Sequence, residues 1–254
     1  MAGMSPTLIV GNWKMNLGVR ESYDLARQIA PACEGLQKTS VWVAPSCLSV
    51  PAVAKVFRDS AVEVGSQNVH WEDRGAYTGE ISPTQLREVG GSFALVGHSE
   101  RRSVCDESIE LCARRALGAI RAGIKVIFCI GETRGQRESG QTEQTLTAQL
   151  LPFLANVQPS HQPAVIVAYE PVWAIGTGLV ASEVEIEESH ALIASLCQRY
   201  LGDSTTPILY GGSVSPANFE DILRCRGVHG VLVGGASLSA TKLTELIAIS
   251  EGHG

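Results

Sequence analysis

Eight short apolar runs recur along the chain: Leu8–Val10, Val41–Ala44, Ala61–Val64, Phe93–Val96, Val126–Ile130, Ala164–Tyr169, Ile208–Tyr210 and Val231–Val233. Several are nearly continuous in Val, Ile and Leu, the pattern of strands buried on both faces. From residue 8 to residue 231 they repeat about every 32 residues, the length of a strand with its crossover helix. The stretches between them read as helices. Ile109, Cys112, Ala113, Ala116 and Ile120 fall at i, i+3, i+4, i+7 and i+11, one amphipathic stripe. Gly123 then stands where a C-terminal cap belongs. Ser182 and Glu185 form a capping box ahead of Ile186, Ile193, Cys197 and Tyr200. Ser82-Pro83 and Ser215-Pro216 each place an N-cap before a proline at the first helical position.

Strand and helix therefore alternate from end to end, with no linker and no low-complexity insert. Alternation predicts an α/β fold with a parallel sheet. Right-handed crossovers leave a doubly wound sheet or a closed barrel. Eight units in 254 residues favour the barrel: one eight-stranded parallel (β/α)8 domain over residues 1–254.

Composition narrows the function. The chain is 44% hydrophobic and 18% charged, too apolar for a disordered protein. Its net charge of −6 makes nucleic acid or an anionic membrane a poor main partner. No run reaches the ~18 apolar residues of a membrane span. The seven cysteines, at 33, 47, 105, 112, 129, 197 and 225, contain no C-x-x-C pair, so no zinc ribbon or thioredoxin motif is supported. They read as reduced, mostly buried thiols. Residues 1–6 carry no basic region ahead of an apolar stretch, and the expected location is cytoplasmic.

The candidate chemistry follows the runs. The first ends in Gly11-Asn12-Trp13-Lys14, the third in Gln67-Asn68, the fourth in Gly97-His98-Ser99-Glu100. The fifth ends in Gly131-Glu132, the sixth in Glu170-Pro171, the seventh in Gly211-Gly212-Ser213, the eighth in Gly234-Gly235. In a parallel barrel all strand C-termini open on one face, where active sites of this architecture lie. Two glycine-rich turns on the neighbouring seventh and eighth strands suit a phosphate, because their backbone N–H groups can approach an anion closely. In a chain of net negative charge the attraction must be local, and Lys14 is the available cation. Two lookalikes are set aside. Gly176–Ala181 matches G-x-G-x-x-A but lies five residues beyond its strand, with no acidic strand end about 20 residues on. Gly97–Arg101 resembles a nucleophile elbow but ends in arginine.

Six segments together resemble the triosephosphate isomerase family: Gly11–Asn16 (GNWKMN), Gly97–Arg102 (GHSERR), Cys129–Glu132 (CIGE), Ala168–Gly178 (AYEPVWAIGTG), Tyr210–Val214 (YGGSV) and Val233–Leu238 (VGGASL). The similarity runs from residue 8 to about 249. It implies a TIM barrel that interconverts dihydroxyacetone phosphate and D-glyceraldehyde 3-phosphate through an enediolate, in glycolysis and gluconeogenesis, with no cofactor and no metal. It also implies the roles. Glu170 is the base that moves the proton, His98 the neutral electrophile, Lys14 the cation, and Asn12 a substrate-placing residue. Gly176, Ser213, Gly234 and Gly235 hold the phosphate. Ser99 and Glu100 support the site, Glu100 as either a partner of Lys14 or a proton carrier. Pro171 to Gly178 form a lid. One departure stands out: the lid's C-terminal hinge, usually Lys-Thr-Ala in the family, is Leu179-Val180-Ala181.

The resemblance further implies a homodimer. The loop from Asn68 to Ser82 would insert into a second subunit, with Thr78 beside the partner's site and Glu80 pairing with Arg101 across the interface. Two other readings compete. A Schiff-base aldolase needs a lysine at a strand's C-terminal end, whereas Lys125 begins its strand. A barrel that only binds sugar phosphates would not need Asn12, Lys14, His98 and Glu170 together.

Overall fold

The computed structural model describes residues 6–176, 178–202 and 205–253. Eight strands, β1 (Thr7–Asn12), β2 (Thr39–Ala44), β3 (Glu63–Ser66), β4 (Phe93–Val96), β5 (Lys125–Ile130), β6 (Val165–Tyr169), β7 (Ile208–Tyr210) and β8 (Gly230–Val233), pair in sequence order and close into a barrel. Every pairing is parallel, including β8 with β1. The helices are α1 (Val19–Ile29), α2 (Val50–Val56), α3 (Pro83–Glu88), α4 (Ser99–Val104), α5 (Ile109–Arg121), α6 (Arg134–Glu138), α7 (Thr142–Leu154), α8 (Glu183–Leu201), α9 (Phe219–Arg224) and α10 (Ala240–Gly252).

The continuous apolar runs have a simple cause. Successive side chains point to opposite faces of a strand, and both faces are covered. Leu8, Val10, Leu95, Ile127, Cys129, Ile166 and Leu209 belong to one buried cluster, with Trp42 and Phe93. Their neighbours Ile9, Val41, Val96, Val126, Phe128 and Val167 belong to a second cluster, shared with helix residues such as Ala116 and Leu150. The first cluster fills the barrel, and the second joins the strands to the helical layer.

All eight runs form strands. The third is displaced: it was placed at Ala61–Val64, and β3 occupies Glu63–Ser66. Ala61 is exposed, while the strand continues through Gly65 and the buried Ser66, whose hydroxyl donates to Asn68 O at 2.7 Å. A polar residue satisfied locally was invisible to an apolar pattern. Ser215-Pro216 does not start a helix either. Asn218 Oδ1 accepts from Ser215 N at 2.8 Å and its Nδ2 donates to Ser213 O at 3.0 Å, which ties this stretch into a turn and delays α9 to Phe219. Ser82 and Ser182 do cap their helices. All seven cysteines are reduced thiols and five are buried. Burial pushes the Cys33 thiol up to about 11, far from the range where a thiol reacts as thiolate.

Lys125, first residue of β5, lies at the barrel end opposite the strand C-termini, ion-paired with Glu63 and 4.9 Å above the Trp42 ring. It is unavailable to a site on the other rim.

His190 of α8 is fully buried behind the barrel. Its Nδ1 lies 2.9 Å from Gly227 O and its ring meets Tyr169 edge-on. Desolvation pushes its pKa down to about 4, against the opposing pull of the Gly227 carbonyl. The fold thus favours the neutral ring, while the unfolded chain titrates near 6.5. The unfolded state binds more protons below 6.5, so this contribution is complete above that pH and is lost as pH falls toward 4, about 3 kcal/mol in all. His229, also lowered by burial, acts with the same sign. In His190→Asn, whose amide can still donate to Gly227 O, urea midpoints should fall less between pH 7 and 4.5 than in the parent. Parallel slopes would remove His190 as the cause.

Candidate active site

β1 delivers the first two residues. Asn12 ends the strand, and its Oδ1 accepts from Lys14 N at 3.1 Å. Lys14 has φ +51, a left-handed conformation that costs a non-glycine residue roughly 1–3 kcal/mol. Gln67, just after β3, holds it there: its Nε2 donates to Lys14 O at 2.7 Å and to Ala44 O at 3.0 Å. Lys14 Nζ donates to the Glu100 carboxylate. Glu100 therefore stands as the partner of Lys14, one of the two roles open from sequence.

β4 delivers the imidazole. Gly97 turns the chain with φ +72, and Arg102 donates to Gly97 O and to Cys129 O, the latter at 2.8 Å. His98 follows at the N-cap of α4, with 6% of its surface exposed. Its Nδ1 accepts from Glu100 N at 3.2 Å. An acceptor nitrogen carries no hydrogen, so this contact assigns the proton of the neutral ring to Nε2. That nitrogen lies 3.1 Å from Glu170 Oε1.

Glu170 directly follows β6 and is 1% exposed. Its Oε2 accepts from Ser99 N at 3.1 Å. Room for it is made by glycine on both sides. A Cβ on Gly131 would stand 1.7 Å from Glu170 O, and one on Gly211 would stand 2.8 Å from Glu170 Cγ. The two Gly-x positions after β5 and β7 are thus spacers for the acid as well as turn formers.

A cavity of about 430 Å³ opens at this rim. Asn12, Lys14, His98 and Glu170 line it together with Gly176, Ser213, Gly234 and Gly235. Eight nominated residues from five separate stretches thus converge. Ser213 Oγ donates to Ala174 O at 2.7 Å, tying the rim to segment 171–178. Within that segment Thr177 lies outside the described residues, and Gly176 is exposed. Ser99 contributes its backbone N–H rather than its hydroxyl. Sequence reasoning gave no role to Gln67, Asn218 or Leu232, the last two of which line the cavity. Gln67 was flagged only as following a strand. Among the described residues no group of three or more His, Cys, Asp or Glu side chains could hold a metal ion.

Two nominated residues lie elsewhere. Thr78 is exposed on the loop after β3 and does not line the cavity. The pairing expected of Glu80 with Arg101 is one across a subunit interface; within its own chain Glu80 makes two bonds to Arg115, at 2.6 and 2.9 Å, which hold its carboxyl below the usual range. Arg101 pairs with the buried Glu107 at 2.6 Å. The reason is burial: Arg115 is 4% exposed and Glu107 3%, and buried charges must find partners within reach.

A second polar cluster sits behind the segment. Glu132, fully buried, accepts from Tyr169 OH at 3.0 Å and from Trp173 Nε1 at 3.4 Å. On the far side Ala181 N donates to Tyr210 OH at 3.3 Å, and Glu185 Oε2 accepts from both Ser182 N and Ser182 Oγ at 2.8 Å.

The family model for triosephosphate isomerase matches residues 7–250. A protein of Thermodesulfovibrio yellowstonii named triosephosphate isomerase is 39% identical over 246 residues, covering 96% of this chain and 99% of its own. Relatives of the same name from Leptospira interrogans and Nitratidesulfovibrio vulgaris are 40% and 42% identical, covering 96% and 94% of this chain and 100% and 98% of theirs.

Proposed function

The chain belongs to the triosephosphate isomerase family, whose members interconvert dihydroxyacetone phosphate and D-glyceraldehyde 3-phosphate, and from that premise we propose how its residues divide the reaction. Glu170 removes a proton from C1 of the ketone. The electron pair left behind forms the C1–C2 double bond of an enediolate, and the negative charge develops on O2. His98 donates from Nε2 to that oxygen, and the proton of O1 takes the reverse path. Glu170 then returns its proton to C2, completing an isomerisation in which nothing is gained or lost. Preorganised donors at a developing oxyanion contribute about 2.7–4 kcal/mol each.

The single observation that carries this reading is the pair itself: an imidazole whose Nδ1 accepts from Glu100 N and whose Nε2 lies 3.1 Å from the buried Glu170 carboxylate, at the wall of a cavity that Lys14 also lines. Lys14 and Asn12 face the substrate oxygens, while Ser213, Gly234, Gly235 and Gly176 take the phosphate. Segment 171–178 is the lid. It excludes water from an enediolate that would otherwise expel its phosphate.

The proposal extends to a cytoplasmic homodimer acting in glycolysis and gluconeogenesis. Support for the dimer comes from four consecutive rim loops, which expose Met15, Leu48, Tyr77 and Val104, two of them more than 80% exposed. Apolar groups gathered on neighbouring loops mark a surface that meets a partner. Thr78 lies on the same face, where it would approach the partner's cavity. Among the described residues no helix is long and apolar enough to cross a membrane.

The purified chain, assayed in the presence of a chelator, should isomerise both triose phosphates and be inhibited by phosphoglycolate. At micromolar concentration it should sediment as a dimer. Absence of isomerisation would sink the assigned reaction, and a fully active monomer would sink the dimer alone.

A further inference from the structure

Arg137 is not among the described residues that line the cavity, yet its guanidinium meets carboxylates from both flanks of the lid. It stands in the last turn of α6, a five-residue helix started by a Thr133–Gln136 capping box directly after Glu132. Its side chain is 16% exposed. Nη1 lies 3.5 Å from Glu132 Oε1, and Nε donates to Glu185 Oε1 at 3.0 Å. A weaker contact reaches Glu188 at 3.4 Å, where the carboxylate is 68% exposed and contributes little.

The two least exposed carboxylates, Glu132 and Glu185, are the groups that grip the ends of the lid. At the N-terminal end Glu132 accepts from the Trp173 indole, and its backbone carbonyl accepts from Val172 N at 3.0 Å. At the C-terminal end Glu185 anchors the backbone and hydroxyl of Ser182, the residue after Ala181. One unbroken polar chain therefore runs Trp173–Glu132–Arg137–Glu185–Ser182. Glu132 is fully buried, so its charge demands a cation close by, and Arg137 is the cation in contact with it. The planar fork of arginine reaches two carboxylates in a fixed relation, which a lysine ammonium does less well.

We propose that Arg137 is a positioning residue for the isomerisation: it brackets the two hinges of the lid at a fixed separation, so that the lid closes over the phosphate as one unit. The inference rests on the lid assignment made above. The same bracket explains how Leu179 and Val180, both exposed, serve in a hinge without a lysine. The anchoring charges lie just outside the hinge, at Glu132 and Glu185, and Arg137 joins them.

Loss of the bracket acts on closure and not on the chemical groups. In Arg137→Met the dissociation rate of phosphoglycolate should rise about tenfold. Inorganic phosphate released per isomerisation should rise by a similar factor, because a poorly seated lid lets the enediolate cleave its C–O bond to phosphate, leaving a three-carbon enol that ketonises. Arg137→Lys should recover part of both effects. Glu185→Gln should show a smaller version of each, and the double variant should be no worse than Arg137→Met alone. A merely structural role would lower thermal stability and leave phosphate release unchanged. A folded Arg137→Met with both quantities within twofold of the parent overturns the bracket. Should that variant not fold, Glu185→Gln within twofold overturns it equally. A parent chain that fails to bind phosphoglycolate overturns the lid reading, and the bracket falls with it.

Discussion

Glu170→Gln is expected to lower turnover by at least about 10³-fold while phosphoglycolate still binds within a few-fold of the parent. The amide has the shape of the carboxylate but no basicity, and no other carboxylate lines the cavity among the described residues. The parent carboxylate accepts a hydrogen bond from Ser99 N at Oε2, and its Oε1 lies 3.1 Å from His98 Nε2. An amide can accept at one of those positions only, so its NH₂ must turn toward the cavity or face a donor. Glu170→Asp separates geometry from basicity. It keeps the base and draws it back by one methylene, about 1.5 Å, and a displacement of that size costs on the order of 10²-fold. Coupled assays with each triose phosphate, together with inhibitor titrations, measure both. Turnover within tenfold of the parent in Glu170→Gln would remove this residue as the base.

His98→Gln should lower turnover about 10²- to 10³-fold with a small change in KM, the signature of a donor whose contribution arises mainly in the transition state. His98 is placed by one local contact, its Nδ1 accepting from Glu100 N. That contact leaves Nε2 of the neutral ring to carry the proton, which under the proposed mechanism is donated to O2 of the substrate. Glutamine can offer an N–H there but cannot also accept from Glu100 N, so its donor is free to rotate. The proton exchange between O1 and O2 then has no relay and must use water or Glu170 itself. Equal losses in His98→Gln and in a variant that removes only Lys14 would argue for general electrostatics instead of a directed donor.

Legibility differed by residue. Asn12, Lys14, His98 and Glu170 were readable because each follows an apolar run, and a parallel barrel sends every such position to one rim. Gly131 and Gly211 were readable as turns but not as the spacers that admit Glu170, since that role exists only once β5, β6 and β7 are side by side. Gln67 carried no chemical signature: its task is to accommodate the left-handed backbone of Lys14, a strain with no trace in composition. Glu80 was given an inter-subunit role by resemblance, whereas its intrachain partner Arg115 carried no signal because the burial of that arginine arises only in the folded chain. Arg137 sits in a short exposed-looking helix with no periodic stripe, so its contact with buried Glu132 could not be anticipated.

What the amino-acid order determined by itself was the alternation of strand and helix, the closure of eight units, and the identity of the side chains at the rim. The alternation is a local property: burial on both strand faces is written as continuous apolar runs, and burial on one helix face as a period of 3.6 residues. Only the tertiary structure decided which of those side chains meet. The approach of His98 Nε2 to Glu170, the seating of Glu170 between two glycines and the link through Arg137 to Glu185 all join residues far apart in the chain. Hydrogen bonds and ion pairs act over about 3 to 4 Å, so such contacts exist only after the barrel has brought separate strand ends within that reach.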